Sequence, residues 1–195
     1  MLKKLSEQYN IILGSASPRR KELLSDIGLK FSIQSTDKEE SFSHSLEEEE
    51  GIAEFLAKQK SEFLSENLQQ NDLLITADTI VSFNNELLNK PGDKEEAFKT
   101  LNKLSENTHK VITGVCLKSK NKEIVFSATT LVTFKVLSED EIHHYINKYN
   151  PYDKAGAYGI QDWIGKIGIK NINGSYTNVV GLPISELYQY LKLFI

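Results

Sequence analysis

The run Leu73-Leu74-Ile75-Thr76-Ala77-Asp78-Thr79-Ile80-Val81 constrains this chain more than any other segment. It is almost continuously apolar, with β-branched residues and little alternation, which is the pattern of a strand covered on both faces. Such a strand needs packed layers above and below it. Asp78 interrupts the run. An unpaired carboxylate inside a buried strand costs several kcal/mol or gives up its charge. Two placements remain open: near the strand end, facing a cleft as a base or metal ligand, or at an edge or turn.

The flanking segments supply the layers. Residues 11–13 read as a short buried strand, followed by the small-residue loop Gly14-Ser15-Ala16-Ser17. Ser17 suits a helix N-cap and Pro18 the first helical position, with Leu23, Leu24 and Ile27 on the apolar face and Gly28 as the stop. A second helix is expected from about Ser45, where Ser45 and Glu48 have capping-box spacing. The acidic run there complements the helix dipole and needs no ligand. Ile52, Phe55, Leu56, Phe63 and Leu64 share one helical arc, and Lys60 falls inside it. Asp93 and Glu96 cap a helix with Ala97, Leu101 and Leu104 on its core face. Residues 109–118 and 123–136 read as strands joined by a polar turn. Ser138 and Glu141 cap a helix with Ile142, Tyr145, Ile146 and Tyr149 on one side. Residues 151–183 are glycine-rich and are expected to be irregular with short β-type runs, before a last helix over 184–194. This order predicts a mixed α/β fold, one domain over residues 1–195.

Composition narrows the function. A net charge of −4 gives no support to nonspecific nucleic-acid binding. A single cysteine, Cys116, within a strand pattern excludes an internal disulfide and reads as a small buried hydrophobe. His44, His109, His143 and His144 lack zinc-site spacing, and there is neither a Walker loop nor a Gly-x-Gly-x-x-Gly. The polar start lacks a signal-peptide pattern and no stretch approaches a membrane span, so the cytoplasm is the expected compartment, with no membrane partner.

Chemistry gathers at a few places. The helix opening at Pro18 presents free N–H groups, a start that favours phosphate. Arg19 and Arg20 in its first turn oppose the dipole, which makes sense if an anion binds there with Ser15 and Ser17 adding hydroxyls. The alternative is a pair of solvated surface arginines. Lys60 either snorkels to water or packs its stem on the core with its ammonium in a phosphate pocket. Asn89-Lys90-Pro91-Gly92 reads by itself as a turn. The segment 153–161 alternates glycines with polar and aromatic residues, which fits either backbone approach to a planar ligand or a tight loop over the sheet.

Together these segments resemble the Maf family of septum-formation-inhibitor-like proteins. The opening Gly14-Ser15-Ala16-Ser17-Pro18-Arg19-Arg20 matches the family's Ala-Ser-x-Ser-Pro-Arg-Arg, Leu56-Ala57-Lys58-Gln59-Lys60 its Leu-Ala-x-x-Lys helix, and Ala77-Asp78-Thr79-Ile80-Val81 its Ala-Asp-Thr-x-Val strand. Lys90-Pro91 and the segments 109–114, 153–161 and 178–183 follow in order, so the resemblance spans nearly the whole chain. The family's acidic residue after the first helix is best matched by Glu40, with Glu39 and Asp37 as close competitors for the match. Gly14 stands for the usual Ala, Glu106 for a Gly before His109, and Asp162 for the Gly after Gln161.

The resemblance implies a two-lobed fold like that of inosine-triphosphate pyrophosphatases, with the active site in a central cleft, a divalent metal (Mg²⁺ or Mn²⁺) and a homodimer. The Tyr158-Gly159-Ile160-Gln161 form of the late loop resembles the branch acting on dTTP and UTP. The implied reaction is hydrolysis of a nucleoside triphosphate to the monophosphate and pyrophosphate. Asp78 is then the general base, Glu40 and Asp78 the metal ligands, Ser15, Arg19, Arg20, Lys60 and Lys90 the triphosphate holders, and Thr79 and Gln161 the base readers. Two other readings compete: a nucleotide-binding regulator of cell division without turnover, and a pyrophosphatase for inosine or xanthosine triphosphates.

Overall fold

The computed structural model describes residues 1–35 and 48–195. In chain order the elements are α1 (Leu2–Gln8), β1 (Asn10–Leu13), α2 (Pro18–Asp26), β2 (Ser32–Ile33), α3 (Glu49–Leu64), β3 (Asp72–Phe83), β4 (Glu86–Leu87), α4 (Lys94–Leu104), β5 (Thr108–Lys118), β6 (Glu123–Phe134), α5 (Glu139–Tyr149), α6 (Trp163–Gly168), β7 (Ile169–Asn173), α7 (Tyr176–Val180) and α8 (Ile184–Leu191). Parallel pairs (β1 with β2 and with β3) and antiparallel pairs (β3 with β4, β6 with β7) occur together, so the mixed α/β expectation holds. The chain divides into two compact units, Met1–Asp78 with Thr113–Ala128 and Gly181–Ile195, and Thr79–Ile112 with Thr129–Val180. Three of the divisions fall inside β3, β5 and β6, and the fourth follows α7.

In the first unit the strands run in the order β2-β1-β3-β5-β6. Side chains alternate across β3 as they must in a strand. Leu73, Ile75 and Ala77 enter one buried cluster with Leu13, Leu24, Val115, Leu117, Leu187 and Leu191, so α2 and α8 cover that face. Leu74 enters another with Leu64 and Leu68, on the side of α3. Burial on both sides accounts for the unbroken apolar run.

α3 departs from its expected form. It starts at Glu49, with Glu48 as N-cap, and Ser45 lies outside the described residues. Its buried residues are Ile52, Ala53, Leu56, Ala57, Ser61 and Leu64, while Phe55 is 41% exposed. The cause is close approach: a Cβ on Gly114 of β5 would lie 2.1 Å from the Ala53 carbonyl oxygen. A helix seated that tightly turns its alanines to the sheet and leaves no room for Phe55. The shift puts Lys60 in the middle of the buried arc.

In the second unit β4 turns back on β3 through Asn84 and Asn85, at φ 53 and φ 61, the left-handed pair a two-residue hairpin turn needs. The predicted caps form: Asp93 accepts from Glu96 N over 2.9 Å, and Ser138 with Glu141 completes a capping box. Ala97, Leu101 and Leu104 of α4 pack toward Ile142, Tyr145 and Ile146 of α5, all fully buried. The late region bears out the expectation of β-type runs only at β7. Apart from β7 it is made of short helical turns, at Pro151–Asp153, Ala155–Ala157, α6 and α7. Its glycines serve close packing between turns, since a Cβ on Gly165 would lie 2.0 Å from the Ile160 carbonyl oxygen.

Candidate active site

Asp78 lies in the middle of the 12-residue β3, which corrects the expectation that it sits near the strand end. It follows Leu74 and Thr76 on the face covered by α3. The Thr76 hydroxyl donates to the Ala57 carbonyl over 2.7 Å and fixes the helix over the strand. One turn beyond Ala57, Lys60 reaches Asp78, with Nζ 2.5 Å from Oδ1 and 3.4 Å from the Ala77 carbonyl oxygen. The two side chains keep 15% and 17% of their surface exposed. Lys60 is therefore directed at a carboxylate rather than snorkelling to bulk water. The pair also explains how β3 tolerates a charge: partnered charges are the form in which a protein interior accepts them.

At the end of β1, Gly14 N–H donates to the Ile75 carbonyl over 2.8 Å and continues the pairing with β3. A Cβ on Gly14 would stand 2.6 Å from Thr76 Cγ2 and 2.8 Å from Leu64 Cδ1, so any larger residue here would have to push those side chains aside. Ser17 occupies the N-cap of α2 and Pro18 its first turn, which contains no acidic residue. The Ser15 hydroxyl oxygen accepts from Ser17 N–H over 3.2 Å and from an Arg20 guanidinium nitrogen over 3.2 Å. With its acceptor positions engaged, that hydroxyl offers a ligand its proton. Arg20 is 9% exposed and donates through Nε to the Gly181 carbonyl over 2.8 Å, while Arg19 is half-buried. The two arginines, equivalent in the sequence, thus differ: Arg20 braces the loop and Arg19 is the more open.

The remaining described candidates belong to the second unit. Thr79 is half-buried directly after Asp78, Lys90 is exposed between β4 and α4, and Gln161 is half-buried just before α6. The segment leading to Gln161 is strained: Gly156 has φ 71 and the fully buried Ala157 has φ 60, a left-handed conformation that costs a non-glycine residue about 1 kcal/mol or more. Tyr158 is held from below by His109, whose Nε2 lies 2.7 Å from the phenol oxygen. Burial lowers the His109 imidazole to about 4 and raises the Tyr158 phenol, so both are neutral near pH 7. Cys116 is buried and its thiol is raised by burial, which fits the structural role expected of it.

Ser15 with Arg20, and Lys60 with Asp78, are brought into contact within the first unit. Glu40 lies outside the described residues, as do Asp37 and Glu39. Sequence reasoning missed the bond from Arg20 to Gly181 and the polar ties of Tyr145 and Tyr158. The available signal was a tyrosine on a core-facing position, since a buried phenol oxygen needs a partner.

The model for Maf-like proteins matches residues 10–194. This chain belongs to the Maf-like family. It is 50% identical over 191 residues to a dTTP/UTP pyrophosphatase of Flavobacterium psychrophilum, covering 98% of this chain and 97% of that one. It is 46% identical over 189 residues to one of Parabacteroides distasonis, covering 96% and 97%, and 44% identical over 195 residues to one of Flavobacterium johnsoniae, covering all of both. A solved nucleoside-triphosphatase / dITP/XTP pyrophosphatase from Mycobacterium abscessus matches at 13% identity and a TM-score of 0.41, over 64% of this chain and 74% of that one, too weakly to carry an argument.

For a divalent cation the described residues of this Maf-like chain offer few donors. Among the described residues no group of three His, Cys, Asp or Glu side chains is placed to hold a metal ion. The Asp78 carboxylate, partly exposed, could serve as one hard-oxygen ligand. One such carboxylate fits Mg²⁺, which keeps several waters and is held through one or two carboxylates plus substrate phosphates. Among the described residues no helix is long and apolar enough to cross a membrane.

Proposed function

We propose that this protein hydrolyses dTTP and UTP to the monophosphate and pyrophosphate, with residues 1–195 working as one functional domain. The observation that carries the reading is the Lys60–Asp78 pair, a partly exposed carboxylate and ammonium in a strand that is otherwise apolar. The names of the relatives, at up to 50% identity over nearly full length, give the substrate class.

In this reading water attacks the α-phosphorus, the bond from that phosphorus to the bridging oxygen of the β-phosphate breaks, and pyrophosphate departs. Asp78 takes the proton of the attacking water, so the water's oxygen ends in the monophosphate. Negative charge spreads over the phosphoryl oxygens in the transition state, which makes cationic positioning the main demand on the protein. Lys60 meets that demand by turning from Asp78 to the triphosphate as substrate arrives. Arg19, the Ser15 hydroxyl and the N–H groups opening α2 hold phosphate, while Arg20 keeps Ser15 in place and adds positive charge. Lys90 is assigned to the triphosphate, and Thr79 and Gln161 to the base, by resemblance to the family. A divalent cation, Mg²⁺ or Mn²⁺, held by Asp78 and Glu40, would neutralise triphosphate charge. The same resemblance carries a cytoplasmic homodimer, which sedimentation at twice the chain mass would support.

The test is a panel of nucleoside triphosphates with Mg²⁺ or Mn²⁺, following pyrophosphate and orthophosphate separately. Equal amounts of pyrophosphate and monophosphate, formed fastest from UTP and dTTP, are expected. Fastest turnover of ITP or XTP would move the substrate to purines, and tight binding without turnover would make the protein a nucleotide-binding regulator.

A further inference from the structure

Gln161 is carried by a backbone tied down on both sides. Two residues before it, Gly159 N–H donates to the Tyr145 hydroxyl over 3.1 Å. One residue after it, Asp162 Oδ2 accepts from the same hydroxyl over 2.7 Å. A carboxylate is an acceptor only, so Asp162 fixes the direction of the phenol O–H and leaves a lone pair for Gly159. Tyr145 is fully buried on α5 beside Ile142 and Ile146, and burial first, then the bond to Asp162, raises its phenol and keeps it protonated. Gly159 has no room for a side chain, since a Cβ there would lie 2.6 Å from Asp162 Oδ2. The backbone between them is held by Ile160, whose carbonyl oxygen abuts Gly165. Asp162 stands where the family pattern has glycine, which has no carboxylate to offer the Tyr145 hydroxyl.

We infer that Tyr145 and Asp162 are positioning residues for Gln161: their bridge fixes the backbone at residues 159–162 from which the Gln161 side chain projects, and so helps set the discrimination between pyrimidine and purine triphosphates. This rests on the reading that Gln161 meets the substrate base. An amide carries both a donor and an acceptor, so it selects only when it can neither slide nor turn. The neutral phenol stops the backbone that carries the amide from sliding, without placing a cation beside the base.

The experiment measures kcat/KM for UTP and GTP, and amide hydrogen exchange of residues 159–162, in the full chain and in Tyr145→Phe, Asp162→Gly and Asp162→Asn. Tyr145→Phe keeps the ring and the core packing. It should lower the UTP-to-GTP ratio by about tenfold, mainly through KM for UTP, and speed exchange of the Gly159 amide by about tenfold, the worth of one net hydrogen bond. Asp162→Gly should do the same, whereas Asp162→Asn retains an acceptor and most of the ratio. In a Gln161→Ala background, Tyr145→Phe should leave the ratio unchanged, because its effect passes through Gln161. An unchanged ratio in Tyr145→Phe, or the same drop with Gln161 already removed, overturns the inference. Unchanged exchange at Gly159 overturns the bridge itself, whatever the substrate. Failure of the underlying reading shows separately, as a wild-type protein without pyrimidine preference, and takes the selectivity role down with it.

Discussion

Asp78 and Asp162 both face a donor across a short gap, and the donors differ in charge. In the first unit Asp78 meets the Lys60 ammonium at 2.5 Å, on the α3 side of β3, with part of each side chain open to solvent. In the second, Asp162 meets the Tyr145 phenol at 2.7 Å, and that phenol is anchored in the core between α4 and α5. An ammonium can exchange a carboxylate for a phosphate oxygen and lose little, because both are anionic acceptors. A phenol hydroxyl bound to a backbone N–H and a carboxylate at once has no comparable second partner. The charged pair suits chemistry and the neutral bridge suits shape.

The sharpest way to break that contrast is to make the same substitution in both places. Asp78→Asn removes the basic oxygen and should lower turnover by roughly 10²–10⁴, with nucleotide affinity largely kept. Asp162→Asn keeps an acceptor and should leave UTP turnover within about threefold of wild type, well inside the worth of one hydrogen bond. Equal losses in the two variants would erase the distinction. Lys60→Met comes next: losing a charged hydrogen bond to the triphosphate should cost about 1.5–3 kcal/mol in kcat/KM. Wild-type kinetics in Lys60→Met would leave Lys60 as a counterion with no part in the reaction.

The smallest effect concerns pH and the neutral His109–Tyr158 contact. Burial depresses the His109 imidazole to about 4 in the folded protein, against an unfolded value of 6.5. Below pH 6.5 the unfolded chain binds the extra proton and the folded one does not, so stability falls as pH drops from 6.5 toward 4. The loss, read from urea midpoints, should be at most about 2–3 kcal/mol. His109→Gln should remove that part of the slope. An unchanged slope in the variant would assign it to other groups.

What could be read in the sequence was whatever depends on neighbours along the chain. The caps at Asp93 and Ser138 and the core faces of α4 and α5 follow from local spacing and were found as predicted. The Maf-like family was legible because its motifs run through most of the chain. The buried face of α3 was legible in part: Ile52, Leu56 and Leu64 are buried as expected, but Phe55 is exposed, because the helix is seated against Gly114, far along the sequence on another strand. For the same reason Lys60 and Asp78 each stood out alone, but their pairing depends on Thr76 binding the carbonyl of Ala57. In the segment 151–183 the short strand β7 met the expectation, but the helical turns around it were missed, because its glycines answer to close packing, which local patterning does not record. Tyr145 was recognisable as a core residue, yet the partners of its hydroxyl lie 14 and 17 positions away.

The central claim is that Asp78 directs water to the α-phosphorus of a pyrimidine triphosphate. Hydrolysis of UTP in ¹⁸O-labelled water, with products resolved by mass spectrometry, tests it most directly. The label is expected in UMP, with none in pyrophosphate, at a rate that collapses in folded Asp78→Asn. Label in pyrophosphate or orthophosphate, or UMP labelled at an undiminished rate by the variant, would contradict it.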